Sequence, residues 1–298
     1  MSPEQFTRRL EMLVSHRAAV LPLGEAVERL QQGTLPPRAV TLTFDDGFFD
    51  FQQQAWPILR RFGFPATVYL TTYYSQLNLP VFGIASSYLL WKSGRPAVSL
   101  REITGEAASL PCATPAERNA IRAHLEAFAE ARGWGGGEKD ALLQRLAAAA
   151  GAAGADQELR RRRMLHLLTP AESAALAAQG VDFQLHTHRH RTPLDHALFR
   201  REIDDNRRAL QASGAAAAPV HFCYPSGVHE SEFYPWLRES GVQTATTCDV
   251  GLARAAEDPL LLPRLVDFSQ LQAVEFEAWL AGAPALLPRK TRHGIRIG

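Results

Sequence analysis

Two β-branched apolar segments separated by one amphipathic segment constrain the fold of this chain most strongly. The segment AVTLTF, residues 39–44, predicts a strand, FFDFQQQAWPILRRFG after it predicts a helix, and FPATVYLTT, residues 64–72, predicts a second strand. A strand, a helix and a strand in this order form a parallel βαβ unit whose sheet is covered on both faces. We therefore expect an α/β fold.

The same alternation returns in the second half of the chain. Strands are predicted in the segments 181–187, 221–227 and 242–248, and helices over 194–213 and about 230–240. In sheets of this kind, active-site residues gather at the carboxyl ends of the strands. At 298 residues, one α/β barrel with an insertion is the organisation we expect.

The expected boundaries follow from where this alternation begins, pauses and ends. Residues 1–38 carry apolar positions at helical spacing and predict an N-terminal helical lead-in. Residues 39–275 form the main domain. Within it, alanine-rich segments from about 80–165 replace the alternation and predict a helical insertion. Residues 276–298 form a basic C-terminal tail.

The charge balance and the N-terminus limit the partners and the location. With 32 Lys and Arg against 31 Asp and Glu, the formal net charge is +1, so no global field attracts nucleic acid or acidic lipid. The three cysteines cannot make a closed disulfide set. The sequence has neither the apolar core of a signal peptide nor a transmembrane segment of about eighteen apolar residues. We expect a cytoplasmic protein as written, or an exported one if its true start lies upstream.

Two adjacent carboxylates follow the first predicted strand. In TFDDG, residues 43–47, Asp45 and Asp46 precede a glycine turn that is sharp enough for both side chains to reach one cavity. Asp-Gly after a strand is also common in β-hairpins. A hairpin needs a second strand at once, whereas the segment that follows is helical in pattern, and this favours the paired-carboxylate interpretation.

Three histidines in five residues follow another predicted strand. His186, His188 and His190 lie in HTHRH, for which a chance histidine-rich surface loop is the alternative. Two imidazoles and one carboxylate form a ligand set suited to Zn²⁺, Co²⁺, Ni²⁺ or Fe²⁺, with positions open for water and substrate. The other aspartate would then take a proton from water at the ion, which is the chemistry of amide or ester hydrolysis.

The two motifs resemble those of the NodB-type polysaccharide deacetylases, carbohydrate esterase family 4, whose motifs are TFDDG and His-Ser/Thr-x-x-His. The resemblance implies a distorted (β/α) barrel, similar to a TIM barrel but with fewer strands. It also implies that Asp45 is the general base and that Asp46, His186 and His190 hold a divalent metal ion, Zn²⁺ or else Co²⁺ or Ni²⁺. His188 falls on a variable position of the second motif, so the resemblance gives it no ligand role.

A third segment, FCYPSG at 222–227, resembles the family's proline-containing groove motif and implies that the backbone N–H of Ser226 stabilises an oxyanion. The family arginine that precedes this proline and orients the base is absent. Arg264, near a late predicted strand, is the candidate replacement, and a plain surface salt bridge is the alternative. The family's C-terminal Leu-x-x-His is also absent, and neither His229 nor His293 has its context, so the general acid is unassigned.

The function implied by the resemblance is removal of N-acetyl groups from an amino-sugar polysaccharide or glycan intermediate. The segments 198–206 and 262–265 resemble the exopolysaccharide-associated branch of the family. Two alternatives stay open: hydrolysis of O-acetyl esters or cyclic amides on the same barrel, and a non-catalytic glycan-binding barrel that keeps the metal. The missing arginine and acid histidine favour the second alternative, and the retained Asp45 opposes it.

Overall fold

The computed structural model describes residues 1–283 and divides the chain into two compact units. The first unit contains residues 1–73 and the described residues from 168 onward, and the second contains residues 74–167. Across residues 1–283, none of the helices is both long enough and apolar enough to cross a membrane.

The elements follow the chain in a largely alternating order. The helices are α1 (Pro3–Ser15), α2 (Leu23–Gln32), α3 (Trp56–Phe62), α4 (Tyr73–Leu77), α5 (Phe82–Ser93), α6 (Pro115–Glu130), α7 (Gly136–Ala149), α8 (Ala153–Arg161), α9 (Pro170–Ala177), α10 (His196–Ser213), α11 (Phe233–Glu239) and α12 (Ala273–Leu280). The strands are β1 (Ala19–Val20), β2 (Ala39–Val40), β3 (Thr43–Asp46), β4 (Thr67–Leu70), β5 (Ala97–Ser99), β6 (Ser109–Pro111), β7 (Asp182–Leu185), β8 (His221–Cys223), β9 (Thr244–Val250) and β10 (Leu262–Arg264).

The centre of the first unit is a six-stranded sheet in the order β10-β9-β8-β7-β4-β3. All five neighbouring pairs are parallel, so the predicted α/β fold is confirmed. The register sets Asp46 opposite Leu70, and Leu70 opposite Leu185. Because parallel strands end at one edge, the residues that follow β3, β4 and β7 emerge side by side.

The two faces of this sheet differ in polarity because side chains alternate along each strand. The outer face is apolar and packs in the main core with α10 and α11 through Val68, Leu70, Phe183, Leu185, Phe222 and Tyr224. The inner face is polar. Thr67 Oγ1 donates to Asp182 Oδ2 over 2.9 Å, and His221 Nδ1 lies 2.7 Å from Thr244 Oγ1. Hydrogen bonds of this kind offset the cost of burying polar groups.

Helix α2 covers part of the inner face. Its residues Leu23 and Val27 form a small apolar cluster with Tyr69 of β4 and Cys223 of β8. The N-terminal region is therefore part of the first unit. We predicted a helical lead-in over residues 1–38, but this region also contains β1, which pairs in parallel with β2.

Two further local predictions need correction. The single helix predicted after TFDDG is a π-helical turn, Phe51–Ala55, followed by α3. Pro57 explains the change, because it has no N–H to donate to the carbonyl of Gln53. At the other end, α12 crosses the expected start of the tail at residue 276, and residues 284–298 of that tail lie outside the described residues.

The second unit is mostly helical and has its own core. Helices α5, α6 and α7 pack around Leu89, Ile121, Leu125, Leu142 and Leu146, all buried. Strands β5 and β6 form an antiparallel pair. The helical insertion that we predict at about 80–165 falls inside the range of this unit.

Candidate active site

The carboxylates of Asp45 and Asp46 each come within 4.8 Å of a ring nitrogen of His186, and the backbone turns at Asp46. Successive strand residues normally face opposite sides of a sheet. Asp46 has a φ of 67°, in the left-handed region, and Gly47 follows with a φ of 78°. A Cβ on Gly47 would lie 2.3 Å from Leu70 Cδ1, so the turn needs glycine for space as well as for its φ.

Asp46, His186 and His190 converge at the carboxyl edge of the sheet. Asp46 Oδ1 lies 3.2 Å from His186 Nε2 and 3.2 Å from His190 Nε2. Ligand atoms about 2.0–2.1 Å from a tetrahedral ion are separated by about 3.3 Å, so these spacings fit a divalent ion. His186 is 1% exposed but His190 is 38% exposed, which leaves the His190 side accessible to water and substrate.

The tautomer of His186 suits a metal ligand. Its Nδ1 lies 2.8 Å from the carbonyl oxygen of Cys223, which can only accept a hydrogen bond. Nδ1 therefore carries a proton, and Nε2 is the ring nitrogen that faces Asp46 and could bind a metal ion. Burial lowers the pKa of His186, but Cys223 and Asp46 outweigh it and raise the pKa well above its ordinary value, so a metal ion would have to displace the proton on Nε2. Burial and the charge of His186 lower the pKa of His190 to about 4, so the imidazole of His190 is neutral near pH 7.

Asp45 does not join this set; its carboxylate is bound by Arg264. Arg264 Nη1 and Nη2 donate to Asp45 Oδ1 and Oδ2, each over 2.8 Å, and Cys223 Sγ lies 3.5 Å from Oδ2. Burial alone would raise the pKa of Asp45, but the hydrogen bonds and charge of Arg264 outweigh it and lower the pKa to about 2. Asp45 is thus an oriented, ionised carboxylate beside the cluster formed by Asp46, His186 and His190, which we call the Asp46 cluster.

Arg264 is itself fixed by its surroundings. It is the last residue of β10, and its Nε donates to the carbonyl oxygen of Thr247 in β9 over 2.9 Å. Its side chain is 14% exposed and that of Asp45 is 34% exposed, so the two form a partly buried pair and not a fully exposed surface salt bridge. Its assignment as the substitute for the family arginine stays a prediction about its role.

Ser226 lies in the turn after β8. Its φ is 56°, and Gly227 N donates to the carbonyl oxygen of Tyr224 across this turn. Within residues 1–283, the N–H of Ser226 makes no hydrogen bond, and the residue is exposed. A Cβ on Gly227 would lie 2.6 Å from Cys248 Cβ, so this turn also depends on glycine. A free N–H in a fixed turn could bind an oxyanion, which is the role predicted for it.

The other histidines of the motifs lie apart from the Asp46 cluster. His188 is buried, and its Nδ1 is 2.8 Å from Thr72 Oγ1. The ring of His229 packs 5.5 Å from that of Tyr224, whose hydroxyl donates to Leu260 O in the outer core. His229 Nε2 also lies 3.5 Å from Asp249 Oδ2. His293 lies outside the described residues.

Two polar residues of this region were not predicted from the sequence. Glu202 and Asn206 of α10 are buried and contact the loop that carries His186 and His190. The available signal was their spacing: one turn apart, they interrupt the apolar side of the helix formed by Phe199, Ile203 and Leu210.

Comparisons with known proteins concern the family and the fold of the chain. The family model for polysaccharide deacetylases matches residues 32–98 and 140–245, more than half of the chain. The poly-β-1,6-N-acetyl-D-glucosamine N-deacetylase of Staphylococcus aureus is 35% identical over 72 residues, which cover 24% of this chain and 25% of that protein. The match thus spans about a quarter of the length of these curated relatives.

Solved structures share the fold over nearly the whole chain. The Streptococcus pyogenes deacetylase PplD, in complex with acetate, has a TM-score of 0.59 at 17% identity and covers 94% of this chain and 86% of its own. IcaB from Ammonifex degensii has a TM-score of 0.56 at 15% identity, covering 95% and 90%. The predicted distorted (β/α) barrel of the NodB type is therefore confirmed, in the form of a half-barrel of six parallel strands, and the chain belongs to the polysaccharide deacetylase family.

Proposed function

We propose that this chain is a metal-dependent hydrolase that removes N-acetyl groups from an amino-sugar polysaccharide or a glycan intermediate. The observation that supports it most directly is the placement of Asp46, His186 and His190 at ligand spacing beside an ionised, oriented Asp45. A divalent ion held by these three residues would acidify water and polarise the acetyl carbonyl. Zn²⁺ is our first choice, with Co²⁺ or Ni²⁺ as substitutes.

Three residues of the chain carry out the other steps of the proposed reaction. Asp45 takes a proton from the attacking water, and Arg264 keeps its carboxylate ionised and aimed. The N–H of Ser226 donates to the oxygen of the attacked carbonyl as negative charge develops there. When the C–N bond breaks, the amine nitrogen takes up a proton from Asp45 or from solvent, and acetate is the other product.

The likeness to curated relatives supports an N-acetylglucosamine polymer as the substrate class. Those relatives are N-deacetylases of poly-β-1,6-N-acetyl-D-glucosamine, and one of the similar structures is IcaB. Because the alignment covers about a quarter of those relatives, the linkage of the polymer is part of our proposal.

The bidentate pair of Arg264 and Asp45 weighs against a non-catalytic glycan-binding barrel. A protein that only binds glycan has no need for a partly buried arginine that holds a carboxylate ionised next to the cluster. The same geometry would also attack an O-acetyl ester or a cyclic amide, so products must distinguish these substrates.

The test is product analysis on defined substrates. Protein loaded with Zn²⁺ or Co²⁺ is incubated with β-1,6-linked and β-1,4-linked N-acetylglucosamine oligomers, with O-acetylated sugars and with cyclic amides. We expect acetate and free amine in equal amounts from an N-acetylated oligomer. Acetate without amine would identify an esterase, and ring opening without acetate a cyclic-amide hydrolase.

The matched control is Asp45→Asn, which removes the base and leaves Asp46 and both histidines in place. We expect it to bind Co²⁺ like the wild type and to release no acetate. Absence of turnover by metal-loaded wild type on the whole panel, with glycan binding unchanged in Asp45→Asn, would overturn the proposal in favour of a binding protein.

A further inference from the structure

Helix α10 buries two polar side chains that face the histidine loop, residues 186–191. Glu202 is 1% exposed and Asn206 is 0% exposed. Burying such groups in a helix interface costs free energy unless every donor and acceptor is satisfied. Both side chains are satisfied, and most of their partners belong to this loop.

Asn206 fixes the start of the loop. Its Oδ1 accepts a hydrogen bond from the backbone N–H of His186 over 2.9 Å. Its Nδ2 donates to the carbonyl oxygen of Leu70 and to Thr72 Oγ1, both over 2.9 Å. Thr72 Oγ1 in turn lies 2.8 Å from Nδ1 of His188. One amide group therefore joins the ends of β4 and β7 at the first histidine.

Glu202 fixes the rest of the loop. Its carboxylate accepts from the backbone N–H of Arg189 over 2.8 Å, from Arg189 Nη1 over 3.1 Å and from Arg191 Nε over 2.7 Å. Its own carbonyl oxygen accepts from the N–H of His188 over 3.0 Å. The carboxylate thus binds the side chains of two arginines and the backbone of the loop to one turn of α10.

The loop needs such support because its backbone is strained. Thr187 and His190 have φ values of 63° and 54°, in the left-handed region that residues other than glycine rarely adopt. Conformations of this kind persist only where surrounding contacts determine them. The left-handed turn at His190 is part of what brings its Nε2 to 3.2 Å from Asp46.

We propose that Glu202 and Asn206 are positioning residues that hold His186 and His190 in ligand geometry, so that they set the affinity of the site for its metal ion. This inference rests on the proposed metal centre. Hydrogen-bond partners behind metal ligands typically change metal affinity by about 10- to 100-fold when they are removed. Replacing a residue that only stabilises the core would lower the free energy of unfolding and leave the metal affinity of the folded protein unchanged.

The experiment measures Co²⁺ affinity by titration of the visible absorption of the apo protein. Glu202→Gln keeps the shape of the side chain and removes the charge that holds Arg189 and Arg191. We expect its Co²⁺ dissociation constant to rise about 10- to 100-fold, with altered Co²⁺ band intensities and an unchanged far-ultraviolet circular dichroism spectrum. Asn206→Ala should weaken binding in the same way.

The matched control is Asp204→Asn on the same helix, whose carboxylate is 45% exposed and lies 3.7 Å from Arg207. It should leave Co²⁺ affinity and spectrum as in the wild type. If Glu202→Gln binds Co²⁺ within twofold of the wild type, whatever its melting temperature, the positioning role is overturned. Wild-type protein that binds no Co²⁺ would instead overturn the proposed metal centre, and the inference with it.

Discussion

Arg264 and Asp45 form a bidentate pair across 219 residues of sequence, with both nitrogen–oxygen distances at 2.8 Å. The two residues stand on the edge strands of the six-stranded sheet, β10 and β3. No backbone hydrogen bonds join these two strands, since they occupy opposite ends of the strand order. Side chains therefore make the connection across the open side of the half-barrel.

Replacing Arg264 with Lys should reduce turnover without removing the metal. An ammonium group cannot make two parallel hydrogen bonds to a carboxylate, so Asp45 loses its fixed orientation. General-base catalysis is typically worth about 10²–10⁴-fold, and we expect loss of orientation to reduce kcat by about 10- to 100-fold. Acetate release measures the change. Arg238→Lys, at an exposed pair with Asp258, is the control, and equal kcat values in the two variants would contradict the prediction.

Replacing Gly47 with Ala should destabilise the protein more than the same change at Gly33. Both glycines have positive φ, 78° and 68°, so each alanine incurs backbone strain of about 1–2 kcal/mol. At Gly33 no atom of residues 1–283 lies within 4 Å of the new Cβ, whereas at Gly47 the new Cβ meets Leu70 Cδ1 at 2.3 Å. We expect a loss of about 3 kcal/mol at Gly47, measured by urea unfolding. Similar losses at both positions would show that space at Gly47 is not limiting.

Zn²⁺ should stabilise the folded protein through His190. An ion that binds only the native state adds about 2.7 kcal/mol at 100 times its dissociation constant, and chelation removes this gain. His190→Ala should abolish the shift in melting temperature, because the Asp46 cluster loses one of its three ligand atoms. His188→Ala, in the same loop but bonded to Thr72, should keep the shift. A Zn²⁺ shift that survives in His190→Ala would place the ion elsewhere.

The buried imidazole of His221 should make the protein less stable in mild acid. Burial lowers its pKa below the ordinary 6.5, and the charge of Asp182 only partly opposes this. The pKa of His221 is thus lower in the folded protein than in the unfolded chain. Its contribution to the free energy of unfolding is therefore complete above pH 6.5 and is lost as the pH falls below that value.

Urea unfolding of the wild type and of His221→Gln between pH 7.5 and pH 5 tests this expectation. The wild type should lose more unfolding free energy over this interval than the variant, because glutamine does not titrate. Parallel pH dependence in the two proteins would show that His221 does not contribute.

The sequence predicted most of the sheet because each strand is a local, periodic feature. The segments 64–72 and 181–187 contain β4 and β7. The single strand predicted over 39–44 is instead β2, which pairs with β1, and the start of β3, which ends at Asp46. Strand β1 was missed since two residues, Ala19 and Val20, are too short to show a period. The π-helical turn was missed because its cause is one proline inside an otherwise helical pattern.

The candidate site was predictable where chemistry is concentrated in a short motif. TFDDG and HTHRH each bring several rare side chains together, so the Asp46 cluster was identifiable before the structure. The partners of these motifs depend on tertiary pairing. For Arg264 a plain surface salt bridge stayed open as the alternative, and Glu202 and Asn206 lie on a helix whose orientation the sequence does not specify. The left-handed φ of Asp46 also has no local signal apart from the glycine that follows it.

The position of Arg264 in the chain has a consequence for synthesis. TFDDG and HTHRH both leave the ribosome well before the strand that carries this arginine, which follows Asp45 by 219 residues. A chain that ends before residue 264 would already contain the histidine loop but would lack the partner of Asp45. Under the proposed function, such a chain should therefore be inactive, because hydrolysis requires β10 to be paired with β9.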